Sequence, residues 1–184
     1  MTISTVLWRR LDAPGHDACR LAQTAGGWRL EGAAVFRHEG ETACLTYRVV
    51  CDGDWFAQEG EVQGWVGALP LDFRIRRTAA GGWTLNGRIV PALHGCIDLD
   101  FGFTPATNVC QLRRAALQVG QAAAVPVAWL DAPAGTLDVL HQHYERRAVD
   151  VYWYEAPRFG YGALLTVNAA GFVVKYPDLW EAEF

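Results

Sequence analysis

Leu71-Asp72-Phe73-Arg74-Ile75-Arg76-Arg77-Thr78-Ala79-Ala80-Gly81-Gly82-Trp83-Thr84-Leu85-Asn86-Gly87 carries the fold in miniature. Leu71, Phe73 and Ile75 alternate with Asp72, Arg74 and Arg76, the period of a strand with one buried and one wet face. Ala80-Gly81-Gly82 turns the chain into Trp83-Thr84-Leu85, and Asn86-Gly87 follows at once, a dipeptide that tolerates the positive φ of a tight hairpin. The same pattern extends both ways. Gly26-Gly27 precedes Trp28, and Glu39-Gly40 separates Val35-Phe36 from the alternation over 44–50. Further segments follow at 125–130, 149–155, 163–168 and 172–176, with Asn168-Ala169-Ala170-Gly171 as the last turn. About a dozen strands result, more than an open sheet holds without curling. The expected fold is mainly β: a large curved antiparallel sheet, or barrel-like sheet, wrapped around one short α-helix, in a single domain over 1–184.

Two segments compete for that helix. Thr107 or Asn108 can cap one over 109–117, where Val109, Leu112, Ala116 and Leu117 fall near one face and Arg113 and Arg114 off it. Leu137, Leu140 and Tyr144 mark a second candidate, with Asp138 near its start and Arg146 and Arg147 near its end. Either segment also reads as a strand.

Composition limits the function. With 184 residues, 51% of them hydrophobic, the chain can bury a core without a metal or disulfide. The 16 basic and 20 acidic residues leave a net charge of −4, the wrong sign for neutralising phosphates, so nucleic acid is not an expected partner. No run approaches the ~20 apolar residues of a membrane span. Arg9, Arg10 and Asp12 interrupt the start before any signal-peptide core, so a cytoplasmic location is expected. Cys19, Cys44, Cys51, Cys96 and Cys110 lack paired C-x-x-C spacing and read as reduced, mostly buried thiols.

The densest chemistry lies in His94-Gly95-Cys96-Ile97-Asp98-Leu99-Asp100-Phe101. As one strand it places His94, Cys96, Asp98 and Asp100 on a single polar face and Ile97, Leu99 and Phe101 on the other. Side chains two apart on a strand diverge by about 6–7 Å, so a single ion takes two of the four, and no metal or cofactor is expected. That spacing also suits an acid and base pair, which inverting glycosidases hold about 6.5–9.5 Å apart. Two other readings stand beside catalysis: a polar face without a reaction, and carboxylates accepting hydrogen bonds from ligand hydroxyls in an aromatic-lined pocket. His141 and His143 share a face only if their segment is extended. Asp52 and Asp54 around Gly53 read first as a turn. The eight tryptophans fill a large curved sheet or line a cavity. No G-x-S-x-G elbow, phosphate-cradling glycine loop or H-E-x-x-H pair is present.

Several short blocks, in order, carry a resemblance: Tyr47-Arg48-Val49-Val50-Cys51-Asp52 with Trp55, then Gly82-Trp83-Thr84-Leu85-Asn86-Gly87, then Leu93-His94-Gly95-Cys96-Ile97-Asp98-Leu99-Asp100. Phe103-Thr104-Pro105-Ala106-Thr107-Asn108 with Arg113-Arg114, then Trp129, Gln142-His143-Tyr144, Tyr152-Trp153-Tyr154 and Tyr176-Pro177-Asp178-Leu179-Trp180 continue it. Together they resemble the Putative glycolipid-binding family of bacterial proteins over nearly the whole chain. The resemblance implies a large antiparallel sheet around one helix, a homodimer, a distant likeness to lipoprotein carriers, and an acidic pocket. Carried over by position, and with His94 added from the polar row, the ligand-binding candidates are His94, Asp98, Asp100, Asn108, Arg113 and Arg114. The chain departs from the family where Phe56-Ala57-Gln58 replaces a threonine-arginine pair and where Cys110-Gln111-Leu112 replaces Leu-Pro-Ile. Losing that proline favours a longer helix. The leading expectation is non-catalytic binding of a glycolipid or similar amphiphile. The alternatives are an enzyme acting on a sugar or lipid ester through Asp98 and Asp100, and a dimeric scaffold.

Overall fold

The computed structural model describes residues 3–184. Alternating sequence becomes alternating burial. In β6 (Leu69–Arg77), Leu71, Phe73 and Ile75 face inward while Asp72, Arg74 and Arg76 face water. The amino-terminal meander comprises β1 (Ile3–Arg10), β2 (Gly15–Thr24), β3 (Gly27–His38), β4 (Glu41–Cys51) and β5 (Ala57–Val66), then β6, β7 (Trp83–Leu85) and β8 (Arg88–Val90). The second meander runs through β9 (Asp98–Phe101), β10 (Ala122–Asp131), β11 (Thr136–Arg146), β12 (Val151–Ala156), β13 (Tyr161–Val167), β14 (Val173–Tyr176) and β15 (Trp180–Glu183). β1 pairs with β15 and joins the two, among the described residues, into one sheet of 15 strands. All pairings among the described residues are antiparallel except β9 with β10, where a crossover carrying the helix returns the chain in the same direction.

The sheet curls but does not close, so of the two expected forms it takes the curved one. β8 and β9 are its edges. They are only three and four residues long, and a 3-10 turn at Pro91–Leu93 directs the chain between them. Short edges offer little unpaired backbone to other chains. Trp83 on β7, beside one edge, holds the connector that leads into the other, its indole N–H donating to the Cys96 carbonyl at 2.9 Å.

β9 lies inside the curl, with all four residues buried. Gly60 on β5 makes room for it: a Cβ there would run into the Leu99 side chain. Leu99 and Phe101 therefore pack on the amino-terminal half, where Phe101, Phe103 and Phe36 stack in succession beside Tyr47. Asp98 and Asp100 point the other way, toward α1 (Asn108–Ala115) and β11.

α1 is the first of the two helix candidates, shifted to 108–115. Ala116 ends it in the left-handed region at φ 46°, its N–H returning to the Leu112 carbonyl at 3.1 Å. Thr107 stands at the N-cap position, one of the two expected, but no side chain caps the helix. The Thr107 hydroxyl turns to Asp100, and Asn108 turns to Tyr144. The second candidate is strand β11, paired with β10 on one side and β12 on the other. Leu140, Gln142 and Tyr144 all face inward there, a period of two that the apolar residues Leu137, Leu140 and Tyr144 alone do not reveal.

Candidate functional site

The expected row of four polar side chains is reduced to two. The strand begins only at Asp98, because the 3-10 turn and Gly95, at φ 94°, carry the preceding residues through a bend. His94 is exposed in that connector and Cys96 is buried beside Trp83. Asp98 and Asp100 do share a face, 1% and 7% exposed, yet their surroundings differ.

Asp98 is held by a fork from Arg114, whose Nε reaches Oδ1 at 2.7 Å and whose Nη2 reaches Oδ2 at 2.6 Å. Burial pushes its carboxyl up, and Arg114 and then Arg77 oppose that push. Asp100 receives only neutral donors. Gln142 Nε2 lies 2.6 Å and Gln111 Nε2 3.1 Å from its Oδ2, and the Thr107 hydroxyl 3.4 Å from Oδ1. Both amides are oriented from behind by Tyr144. Its hydroxyl is shared between Gln111 Oε1 at 2.7 Å and Gln142 Oε1 at 3.1 Å, and it accepts from Asn108 Nδ2 at 2.8 Å. With their oxygens occupied there, the two glutamines present N–H groups to the carboxylate. Burial still raises the Asp100 carboxyl above the usual range, against the pull of Gln142, Gln111 and Thr107.

Asp100 also lines a cleft of about 400 Å³ that opens between α1, the inner face of β9–β12 and the carboxy-terminal hairpin. Asn108 and Gln142 share its polar floor. Its walls are Trp129, Phe159 and Trp180 together with Tyr154, Tyr161 and Tyr176. The three tyrosines pack as one group with ring centroids 5.6–6.2 Å apart, and Tyr161 donates to the Pro177 carbonyl at 2.6 Å. Trp129 meets Phe159 edge-on at 5.3 Å, and Arg158, paired with Asp138 at 2.8 Å, lies over Trp129. Gly102 lets the loop after β9 pass Trp129, since a Cβ would come within 2.7 Å of its indole nitrogen.

Of the residues expected at the site, Asp100 and Asn108 line this cleft. Asp98 and Arg114 stand behind it as an ion pair. His94 and Arg113 lie elsewhere. Arg113 donates to the Ala169 and Ala170 carbonyls at 2.9 and 3.1 Å and fastens the last turn to the helix, because its position around the helix, about 100° from Arg114, aims it away from β9. Asp52 accepts from the N–H groups of Asp54 and Phe56 at 3.0 and 2.9 Å, the turn its spacing suggests. His143 stands 3.7 Å from Glu155, on the side of β11 opposite Gln142. Trp8 and Trp83 are core residues, Trp28 and Trp55 stack at 4.4 Å, and Trp129 and Trp180 line the cleft. A larger trough, about 980 Å³, lies on the outward face of β1–β5. It is open, and its charged residues are engaged with one another, Arg20 with Glu31 and Arg48 with Glu61.

A third buried acid has no signal in the sequence. Asp17, fully buried on β2, accepts from the Tyr47 hydroxyl at 2.9 Å and from the Thr104 hydroxyl. Burial pushes it up to about 7, with the Thr104 and Tyr47 hydrogen bonds opposing.

An open, almost wholly antiparallel sheet curled, among the described residues, around one α-helix, with a polar-floored aromatic cleft between them, defines the class of β protein to which this chain belongs. The family is the one described as "Putative glycolipid-binding": the chain is a member, and the family model matches residues 5–182. It is similar to the crystal structure of a DUF1089 family protein from Pseudomonas aeruginosa, at 27% identity and a TM-score of 0.80, with 91% of each chain covered. No curated protein matches it. Among the described residues no helix is long and apolar enough to cross a membrane.

Proposed function

We propose that the protein binds a glycolipid without transforming it, seating the sugar headgroup in the cleft above Asp100. The observation that carries this reading is the carboxylate of Asp100. It is fixed from behind by Gln111, Gln142 and Thr107, and it lines a cavity whose walls are aromatic. Fixed acceptors against flat apolar walls suit a sugar ring, whose hydroxyls need acceptors and whose C–H faces stack on rings. The volume, near the lower end of small-ligand sites, suits a headgroup of one or two rings and leaves acyl chains to lie along the mouth. The family's description supports the ligand class.

The enzymatic alternative loses its pair. Asp98 is occupied by both reaching nitrogens of Arg114 and does not line the cleft, so the second carboxylate of an acid and base pair is missing there. Titration of a short-chain neutral glycolipid, followed by tryptophan fluorescence from Trp129 and Trp180, tests the proposal. Asp100→Asn should weaken binding about 10- to 100-fold, the worth of one hydrogen bond to a charged group. Equal affinity in the two proteins removes Asp100 from the site.

A further inference from the structure

The charges around the cleft are unevenly matched. Asp98 has Arg114 in a fork and Arg77 acting on it as well. Asp100, two residues along the same strand, has no cationic partner among the described residues: every group that bonds to it is a neutral amide or hydroxyl. The cations nearest to the cleft are used elsewhere. Arg113 is bound to the carbonyls of the last turn, Arg158 lies over the Trp129 ring and pairs with Asp138, and Arg10 pairs with Asp12 while covering Trp180. Among the described residues, no arginine, lysine or histidine lines the cleft. Tyr154, Tyr161 and Tyr176 line the same cleft, and their π faces are negative and attract cations, while Trp129 and Trp180 already carry Arg158 and Arg10 over their rings.

Resting on the glycolipid reading above, we propose that the cleft selects a headgroup bearing a protonated amine, a 2-amino sugar, whose ammonium group completes the ion pair that Asp100 lacks. A buried carboxylate is costly without a counter-charge, and such a ligand supplies one. The same arrangement disfavours phosphate or carboxylate headgroups, which would meet Asp100 and the ring faces with no donor of positive charge.

The experiment uses three water-soluble probes below their micelle concentrations: octyl glucoside, octyl 2-amino-2-deoxyglucoside and octyl glucoside 6-phosphate. Binding to the wild-type protein is measured at pH 6.5 and low salt by calorimetry. The amine should bind at least about 10-fold tighter than the neutral glucoside, the phosphate no tighter than the glucoside, and added salt should erode the amine's advantage. In Asp100→Asn that advantage should vanish. Equal binding of amine and glucoside to wild type overturns the amine preference and leaves the glycolipid reading standing. A phosphate that binds tightest overturns the preference as well, and no binding of any probe overturns both. The wild-type comparison decides the matter even where the Asp100→Asn protein is unstable.

Discussion

Replacing Asp17 with asparagine should flatten the pH dependence of stability. The Asp17 carboxyl is pushed up to about 7 in the folded protein, first by burial, whereas the unfolded chain binds its proton with the ordinary value of 3.8. A raised folded value means that the stabilisation is fully present below the unfolded pKa and is lost as pH rises through the folded one. Between pH 5 and pH 8 the unfolded state is already ionised while the native state must still give up its proton. At about 1.4 kcal/mol per unit of mismatch, wild type should lose about 3 kcal/mol over that interval through this group. For 184 residues, with an unfolding entropy of about 2.1 cal/mol/K each, this corresponds to about 8 °C in Tm. The Asp17→Asn protein keeps the neighbours satisfied, since the Tyr47 and Thr104 hydroxyls can each donate or accept. Urea unfolding of both proteins at pH 5, 6, 7 and 8 measures the effect. The difference between the curves isolates Asp17 from Asp98 and Asp100, whose raised values act in the same direction in both proteins. Parallel curves would refute the reasoning, because they would mean that the two hydroxyls fully offset the desolvation of the carboxylate.

Arg114→Ala should cost about 3–5 kcal/mol in urea unfolding by leaving Asp98 buried and unpaired, and more at pH 8 than at pH 5, while Asp98→Asn added to it should recover most of the loss. Gly60→Ala should lower stability by about 1–3 kcal/mol in thermal or urea melts, because the new methyl meets the Leu99 side chain and forces β9 off β5.

Much of the fold is legible because local signals agree with the final packing. The alternation of Leu71, Phe73 and Ile75 and the Asn86-Gly87 turn report directly on strands whose partners are their chain neighbours. Apart from β1 with β15 and the crossover between β9 and β10, every join of this sheet is of that kind. The helix is visible from Val109 and Leu112, which keep a helical spacing against the core. β11 is ambiguous because its buried face includes a polar residue. Gln142 faces inward to serve Asp100, so the apolar pattern alone leaves Leu137, Leu140 and Tyr144 at near-helical intervals. At the site, Asn108 enters through the family resemblance, whereas Asp98 and Asp100 stand out by residue type and short spacing. The partners that give them different roles do not. Gln111 and Gln142 reach Asp100 from two elements on the far side of the crossover, with Tyr144 orienting both, and Asp17, Tyr47 and Thr104 meet only because three distant segments converge. Arg113 and Arg114 are adjacent in sequence but about 100° apart around the helix, so one serves the turn and the other Asp98.

The pairing of β1 with β15 also orders the events of folding. Every other seam joins consecutive strands, and all but the crossover can zip as soon as both strands have formed, whereas this one waits for residues 180–183. Until β15 arrives, β1 presents an open row of backbone donors and acceptors, with Ile3 and Leu7 exposed along it. Loop closure over so long a stretch makes that seam a late, slow step. A growing chain therefore carries an adhesive edge along β1, and the four residues of β15 are what retire it.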